Sequence, residues 1–422
     1  MNKINILLFC GSLNIGGTER NVINIAKYLD KKKFNVQIYC LYEAGALISE
    51  AAKDGIKVSV GNLKSGLEYL RIYRQVHKII TTEKIDIVHS LGFPAIYCAT
   101  ALGVLINVPV LISAIQAWDV WKNWKSLIWD KITQQNLDLI ISDGEGARHF
   151  AIKQQSISPS KIITIYDGVN YEELRSQSNL DIKKKEIGIN PEKPTVGVIA
   201  RLNDVHKGQS DFLNAVKLLK EQYPNVQFLL IGGGDDEKML KNLAKELGII
   251  NRIIFTGFRQ DLGDMIRILN IIVIPSRCWE SVPKILLEAM ALARPVIATN
   301  VGDIPEILED KKTGILVPSR NPQILAEAIG YLLDNPGLAE RLGVEANKKI
   351  MLTGLTIEKS VRKLEEIYAE TLNKVKKHPK HRSFNLLITI LLILATLGFG
   401  SVRAIKAYIR VKKRSGSGYY NH

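Results

Sequence analysis

Glu280-Ser-Val-Pro-Lys-Ile-Leu-Leu-Glu288, followed by Ala-Met-Ala, comes directly after a short apolar run, Ile271 to Pro275. The run has the length and β-branched content of a buried strand, and the residues after Pro283 have helical spacing. Proline suits a first helical position, because its missing N–H would lack a partner there anyway and its φ is already helical. Pro283 is therefore predicted to open the helix, leaving Glu280 in the loop at its mouth. Glu288 falls five residues beyond Pro283, about 7.5 Å along the axis. The two carboxylates thus lie at different depths beside a helix N-terminus, whose free N–H groups favour anions such as phosphate. On spacing alone, a surface-loop glutamate and a helix-face glutamate with no shared task fit equally well.

A buried strand feeding a helix is the unit repeated along the chain. Apolar runs at Ile4–Cys10, Val36–Leu41, Lys57–Val60, Ile85–His89, Val108–Ser113, Leu137–Ser142 and Ile162–Tyr166 alternate with segments of helical spacing, such as Arg20–Leu29, Leu67–Ile80 and Ala95–Leu105. Such alternation predicts a parallel sheet covered by helices on both faces. Between Ser176 and Pro194 the pattern lapses into Ser, Asn, Lys and Pro. It then resumes with Thr195–Ala200, Val226–Ile231, Arg252–Thr256, Ile271–Pro275, Pro295–Ala298 and Gly314–Val317. The expected fold class is α/β, with two doubly wound, Rossmann-like domains and a C-terminal hydrophobic helix. The expected boundaries are 1–178, a linker at 179–194, 195–355, a final amphipathic helix at 356–373 and a tail at 374–422. Ligands of such sheets bind at the carboxyl ends of the strands, so two facing domains are expected to share a cleft site.

The 422 residues carry a formal net charge of +15, but residues 371–422 hold eleven Lys or Arg and no Asp or Glu. The body therefore keeps only +4, which excludes a basic nucleic-acid-binding surface. Four well-separated cysteines, Cys10, Cys40, Cys98 and Cys278, form no C-x-x-C pair and fit a reducing compartment. The tail contains an uncharged run, Ser383 to Val402, that as a helix is about 30 Å long and matches a bilayer core. Basic residues flank it on both sides, so either a span or a helix lying within one leaflet fits. The N-terminal run Ile4–Cys10 is too short for a signal peptide and reads as a first strand. The protein is thus expected to be membrane-associated, with its folded domains in the cytoplasm.

Three loops at strand ends carry candidate chemistry. Gly11-Ser-Leu-Asn-Ile-Gly16-Gly17-Thr18 nearly matches a phosphate-binding P-loop, but Gly17 stands where the essential lysine belongs, which excludes NTP hydrolysis of that type. Its paired glycines either let backbone approach a phosphate or sugar, or simply form a tight turn. Arg201 follows the strand Val196–Ala200, and Lys207-Gly208 comes six residues later. A planar fork and a mobile point charge suit a diphosphate, and two solvated loop cations are the plain alternative. Gly232-Gly-Gly234 after Ile231 is a further backbone-approach loop.

In order, these elements together with Phe255-Thr-Gly-Phe258, Pro275-Ser276, Pro295-Val-Ile-Ala-Thr, Val301-Gly-Asp-Ile-Pro-Glu306 and Thr313-Gly-Ile-Leu-Val-Pro318 resemble the family 4 (group 1) glycosyltransferases. Asp167-Gly168-Val-Asn resembles that family's turn between domains, and the likeness runs from about residue 4 to 372. The resemblance implies a GT-B fold whose last helix returns to the first domain. It also implies retaining transfer from a nucleotide diphosphate sugar to a glycan or lipid-linked acceptor, with no catalytic metal and no cofactor besides the donor substrate. By position, Arg201 and Lys207 would hold the diphosphate, Glu280 hydroxyls of the transferred sugar, and Glu288 the ribose hydroxyls. Gly16 and Gly17 would border the donor from the first domain, with Gly233 and Phe258 on the nucleotide side.

The chain departs from that pattern where the family carries a His after the strand at Val108–Ser113; here the sequence reads Ser113-Ala-Ile-Gln116. Gln116 offers an amide to the same hydroxyl. His89 is the nearest histidine substitute, or else a structural residue. Trp118, Trp121, Trp124 and Trp129, interleaved with Lys122, Lys125 and Lys131, read either as a helix packed on its sheet or as a second membrane contact. Two other functions fit the fold: an epimerase acting on the nucleotide sugar, and a non-catalytic membrane-bound assembly subunit.

Overall fold

The computed structural model describes residues 3–14, 16–64, 68–93, 95–116, 124–175, 178–278 and 280–378, with side chains described from Asp130 onward in the helix Trp124–Asn136. The chain forms two compact units, which divide between Tyr166 and Asp167 and again between Thr356 and Ile357. The first division lies upstream of the expected boundary at 178, and the stretch expected as a linker, 179–194, contains a helix, Leu180–Glu186, capped by the Asn179 side chain.

The first unit is a seven-stranded parallel sheet of β1 (Ile4–Cys10), β2 (Phe34–Cys40), β3 (Lys57–Val60), β4 (Ile87–Leu91), β5 (Val110–Ile115), β6 (Leu139–Ser142) and β7 (Ile162–Thr164), in the order β3-β2-β1-β4-β5-β6-β7. Strand β1 shows why the sheet needs cover on both faces. Ile6 and Leu8 pack with the helix Gly17–Tyr28, while Leu7 and Phe9 pack with the helices Tyr69–Thr82 and Ala95–Ile106. Because side chains alternate with period two, the unbroken apolar run Ile6–Cys10 feeds two cores at once.

The helix Ile357–Lys377 belongs to this unit, although it follows the second unit in the chain. Its Ile357, Val361, Leu364, Tyr368 and Leu372 join the core at helical spacing. Glu365 accepts the Asp30 backbone N–H at 2.6 Å, and the Ser360 hydroxyl donates to the Tyr166 carbonyl at 2.7 Å.

His89 lies on β4, 2% exposed, with Nδ1 2.6 Å from the hydroxyl of the fully buried Tyr368. This corrects its reading as a sugar contact: a ring enclosed in a core and bonded to the returning helix has no surface to offer a ligand. Burial lowers its pKa from 6.5 to about 3. Between those values the unfolded chain binds a proton that the folded unit does not, so stability falls as pH falls. The expected loss is at most about 1.4 kcal/mol per pH unit below 6.5. Chemical unfolding of wild type and His89→Gln at pH 7.5 and 5 checks this: the wild type should lose more stability on acidification, and equal losses would contradict it.

The second unit is a six-stranded parallel sheet of β8 (Thr195–Ile199), β9 (Gln227–Ile231), β10 (Ile253–Gly257), β11 (Ile271–Ile274), β12 (Val296–Thr299) and β13 (Ile315–Val317), in the order β10-β9-β8-β11-β12-β13. The order reverses between β8 and β11, which pair Val196 with Ile271 and Gly197 with Ile272. A doubly wound sheet splays its loops apart at such a reversal and leaves a crevice at the strand carboxyl ends. Among the described residues of the whole chain, no helix is long and apolar enough to cross a membrane. The hydrophobic run 383–402 lies outside the described residues.

Candidate active site

The chain leaves β8 through Ala200 and Arg201, forms the short helix Asp204–Lys207, turns at Gly208 with φ +64°, and continues as the helix Gln209–Leu219. It leaves β11 through Pro275 and Ser276 and enters the helix Lys284–Ala291. These two exits flank the reversal in strand order. Pro283 does not open the helix as expected. Its φ of −64° is helical, but its ψ of 129° is extended, so it is the cap residue and Lys284 is the first helical one. A lysine at the positive end of a helix dipole is unfavourable alone; here Asp167 stands 3.5 Å from its ammonium.

Lys207 and Glu280, seventy-three positions apart, meet across the reversal: Lys207 Nζ lies 2.5 Å from Glu280 Oε1. The same carboxylate oxygen accepts the Ser276 hydroxyl at 2.9 Å. The Glu280 side chain is 14% exposed and that of Lys207 is 29% exposed, so the pair is partly desolvated yet reachable. The Glu280 backbone is held as well, its carbonyl accepting the Asp303 N–H at 3.0 Å. A cation and an acceptor are thus fixed side by side at the mouth of a helix, where one can meet a phosphate and the other a hydroxyl.

The other expected residues of the second unit have less direct ties to a task. Arg201 is exposed at the end of β8, and its carbonyl accepts the Gln209 side-chain amide at 2.8 Å. Glu288 is partly buried in the second turn of the helix Lys284–Ala291. Gly232 and Gly234 serve packing: a Cβ at either would fall 2.0 Å from the Ala200 carbonyl oxygen or 2.3 Å from that of Leu202. Between them, the Gly233 carbonyl accepts the Leu202 N–H at 3.0 Å, and its α-carbon faces Phe258, which is 49% exposed. Phe258 therefore presents an apolar ring to solvent at the end of β10.

In the first unit, Gly16 caps the helix Gly17–Tyr28 in extended conformation and accepts the Arg20 N–H at 3.0 Å. Among the described residues, a Cβ at Gly17 would meet nothing within 4 Å, so none of them requires a glycine there. Gln116 follows β5 directly and is partly buried. Trp118 and Trp121, and the side chains of Trp124 and Trp129, lie outside the described residues.

Sequence reasoning missed Arg277 and underused Ser276. Arg277 forms a bidentate pair with Asp211, at 2.7 and 2.6 Å, and a further bond to Asp204 at 2.9 Å. The available signal was an arginine directly after a strand-ending Pro-Ser, with acidic residues on both sides of Lys207-Gly208.

Two family models match the chain. The model for glycosyl transferases group 1 covers residues 180–349, and that for glycosyltransferase family 4 covers 15–173. An uncharacterized glycosyltransferase of Methanocaldococcus jannaschii is 28% identical over 84% of this chain and 95% of its own. The UDP-Gal:alpha-D-GlcNAc-diphosphoundecaprenol alpha-1,3-galactosyltransferase of Escherichia coli is 23% identical over 84% of this chain and 94% of its own. Among solved structures, a glycosyltransferase from Rickettsia africae has a TM-score of 0.76 at 23% identity, covering 88% of this chain and 99% of that one. HepE of Anabaena, solved in complex with UDP-glucose, has a TM-score of 0.75 at 20% identity, covering 87% and 100%. With the two models together matching residues 15–173 and 180–349, the chain belongs to the family 4, group 1 glycosyltransferases and has their GT-B architecture of two Rossmann-like domains.

Proposed function

We propose that the protein transfers a hexose-type sugar from a nucleotide diphosphate donor to a glycan or lipid-linked acceptor, with retention at the anomeric carbon, in building cell-surface polysaccharide or glycolipid. The observation that carries this reading is the Lys207–Glu280 pair at the strand reversal of the second unit. As the glycosidic C–O bond breaks, negative charge grows on the departing diphosphate. A fixed cation there is worth more at that stage than in the bound donor, which is the condition for accelerating the step. Lys207 supplies that charge, joined by the exposed Arg201 when the donor is present. Glu280 accepts hydrogen bonds from the sugar hydroxyls, and Glu288 takes the same part toward the ribose. Phe258 and Gly233 border the base. The acceptor is assigned to the first unit; of that unit's residues, Gly16 and Gly17 are assigned to the donor and Gln116 to a hydroxyl of the transferred sugar. Neither glutamate is given a proton-transfer duty; the leaving phosphate itself takes the acceptor's proton.

The basic tail with its uncharged run 383–402 supports a membrane-associated enzyme, and the free cysteines Cys10, Cys40, Cys98 and Cys278 support both folded units facing the reducing cytoplasm. The test is a panel of labelled nucleotide sugars incubated with membranes carrying the protein. Label from one or a few donors should enter lipid-extractable product, with the anomeric configuration of the donor kept. A new nucleotide sugar with no transfer product would favour the epimerase instead. Donor binding without turnover on any acceptor would favour a non-catalytic subunit.

A further inference from the structure

Two separate chain segments bring Lys207 and Glu280 together, and one side chain ties those segments. The Arg277 guanidinium donates to both carboxylate oxygens of Asp211, to Asp204 Oδ2 at 2.9 Å and to the Ser210 hydroxyl at 2.7 Å. Its backbone N–H also donates to the His206 carbonyl at 2.8 Å. Asp204 opens the short helix that ends at Lys207, and Ser210 and Asp211 lie in the first turn of the next one. Asp204, Ser210 and Asp211 are all at least nine-tenths buried. Asp204 is itself fixed, accepting the Ser210 N–H at 2.6 Å and its hydroxyl at 2.8 Å. Four guanidinium N–H bonds are thereby made to the segment that carries Lys207, while Arg277 sits next to Ser276 and three residues before Glu280. Burial alone would lower its pKa, but Asp211 and Asp204 raise it, so the guanidinium stays charged within the clamp.

We propose that Arg277 is a positioning residue, which sets the Lys207–Glu280 geometry by clamping the loop after β11 to the Asp204–Asp211 segment, without itself touching substrate. The kinetic part of this proposal rests on the glycosyltransferase reading above. A planar fork is required, because the single nitrogen of an ammonium cannot occupy the three positions from which Nε, Nη1 and Nη2 reach Asp211, Asp204 and Ser210. Displacement of a binding group by about 1 Å can cost about 10²-fold in rate, because alignment matters more in the transition state than in the bound donor.

The test compares wild type with Arg277→Lys, which keeps the charge and spares Asp204 and Asp211 an unpaired burial, and with the double variant Arg277→Met/Asp211→Asn. In Arg277→Lys, kcat per folded molecule should fall between about 10- and 100-fold while the donor KM changes less than about threefold. Crystal structures should show the Lys207–Glu280 contact lengthened in both variants. Wild-type kcat in folded Arg277→Lys would overturn the proposal, as would an unchanged contact. A variant that loses thermal stability but keeps both would reduce Arg277 to a structural brace and overturn it equally. If the wild type transfers from no donor, the functional reading fails, and the crystallographic contact alone decides the positioning claim.

Discussion

Lys207→Ala should lower kcat/KM for sugar transfer by about 10²–10³, the range found when one fixed charge-stabilising donor is removed from an active site. The fold should survive, because the Lys207 side chain is 29% exposed and ends a four-residue helix rather than filling a core. Glu280 would lose its ion pair but keep the Ser276 hydroxyl and its backbone bond to Asp303. The companion substitution separates the two charges by sign. Glu280→Gln removes a carboxylate 2.5 Å from Lys207, so free nucleoside diphosphate should bind at least as tightly as in wild type. Transfer should nonetheless fall, since an amide oxygen accepts sugar hydroxyls less strongly than a carboxylate. Steady-state kinetics with the donor found in the panel, together with circular dichroism, checks both variants. Lys207→Ala with wild-type kcat/KM would remove the diphosphate assignment.

Gly302→Ala should be the most damaging small substitution near the site. Gly302 has φ +57°, and a Cβ built on it would lie 1.8 Å from the Glu280 carbonyl oxygen and under 3 Å from its backbone C and N. The left-handed backbone costs an alanine about 1–2 kcal/mol, and forcing the contact apart adds about 1–3 kcal/mol. The relief available is to push the Glu280 peptide outward, which breaks the Asp303 N–H bond at 3.0 Å and carries the carboxylate away from Lys207. A melting temperature lower by about 5–15 °C is therefore expected for the second unit, with transfer per folded molecule reduced at least about tenfold. Thermal unfolding and kinetics on the same preparation check this. An unshifted transition would show that the chain around Gly302 relaxes without cost.

The strand pattern was legible because buried parallel strands write continuous β-branched runs into the sequence. Ile4–Cys10 coincides with β1, whose last five residues are buried. Lys57–Val60 coincides with β3, an edge strand with no buried residue, whose Val58 and Val60 alternate with Lys57 and Ser59. Runs such as Ile85–His89 and Val108–Ser113 begin two residues before β4 and β5, because apolar residues of the incoming turns are buried as well. Strand order was not readable, since hydrophobicity does not say which strand pairs with which. The reversal between β8 and β11, which brings Lys207 to Glu280, is visible only once the sheet is formed.

That difference also explains the uneven reading of the site. Arg201 and Lys207 were grouped because both are cations near one strand end, yet Lys207 meets a carboxylate and Arg201 is exposed. Glu280 and Glu288 were grouped by spacing, yet Glu280 shares its environment with Lys207 and Ser276, across loops rather than along the helix. His89 was drawn toward the site by its place at a strand end. Its partner, Tyr368, lies 279 residues away on a helix that returns from beyond the second unit, a contact no local pattern announces. Pro283 kept its expected φ but not its place in the helix, because ψ is set by the loop it closes.

The claim on which the rest depends is that Lys207 receives the donor's diphosphate. Calorimetric titration of a nucleoside diphosphate into wild type, Lys207→Ala and Glu280→Gln measures it without an acceptor or turnover. The expected result is saturable, salt-sensitive binding to wild type, at least about 10-fold weaker in Lys207→Ala and undiminished in Glu280→Gln. Equal affinity in wild type and Lys207→Ala, with both proteins folded, would contradict it.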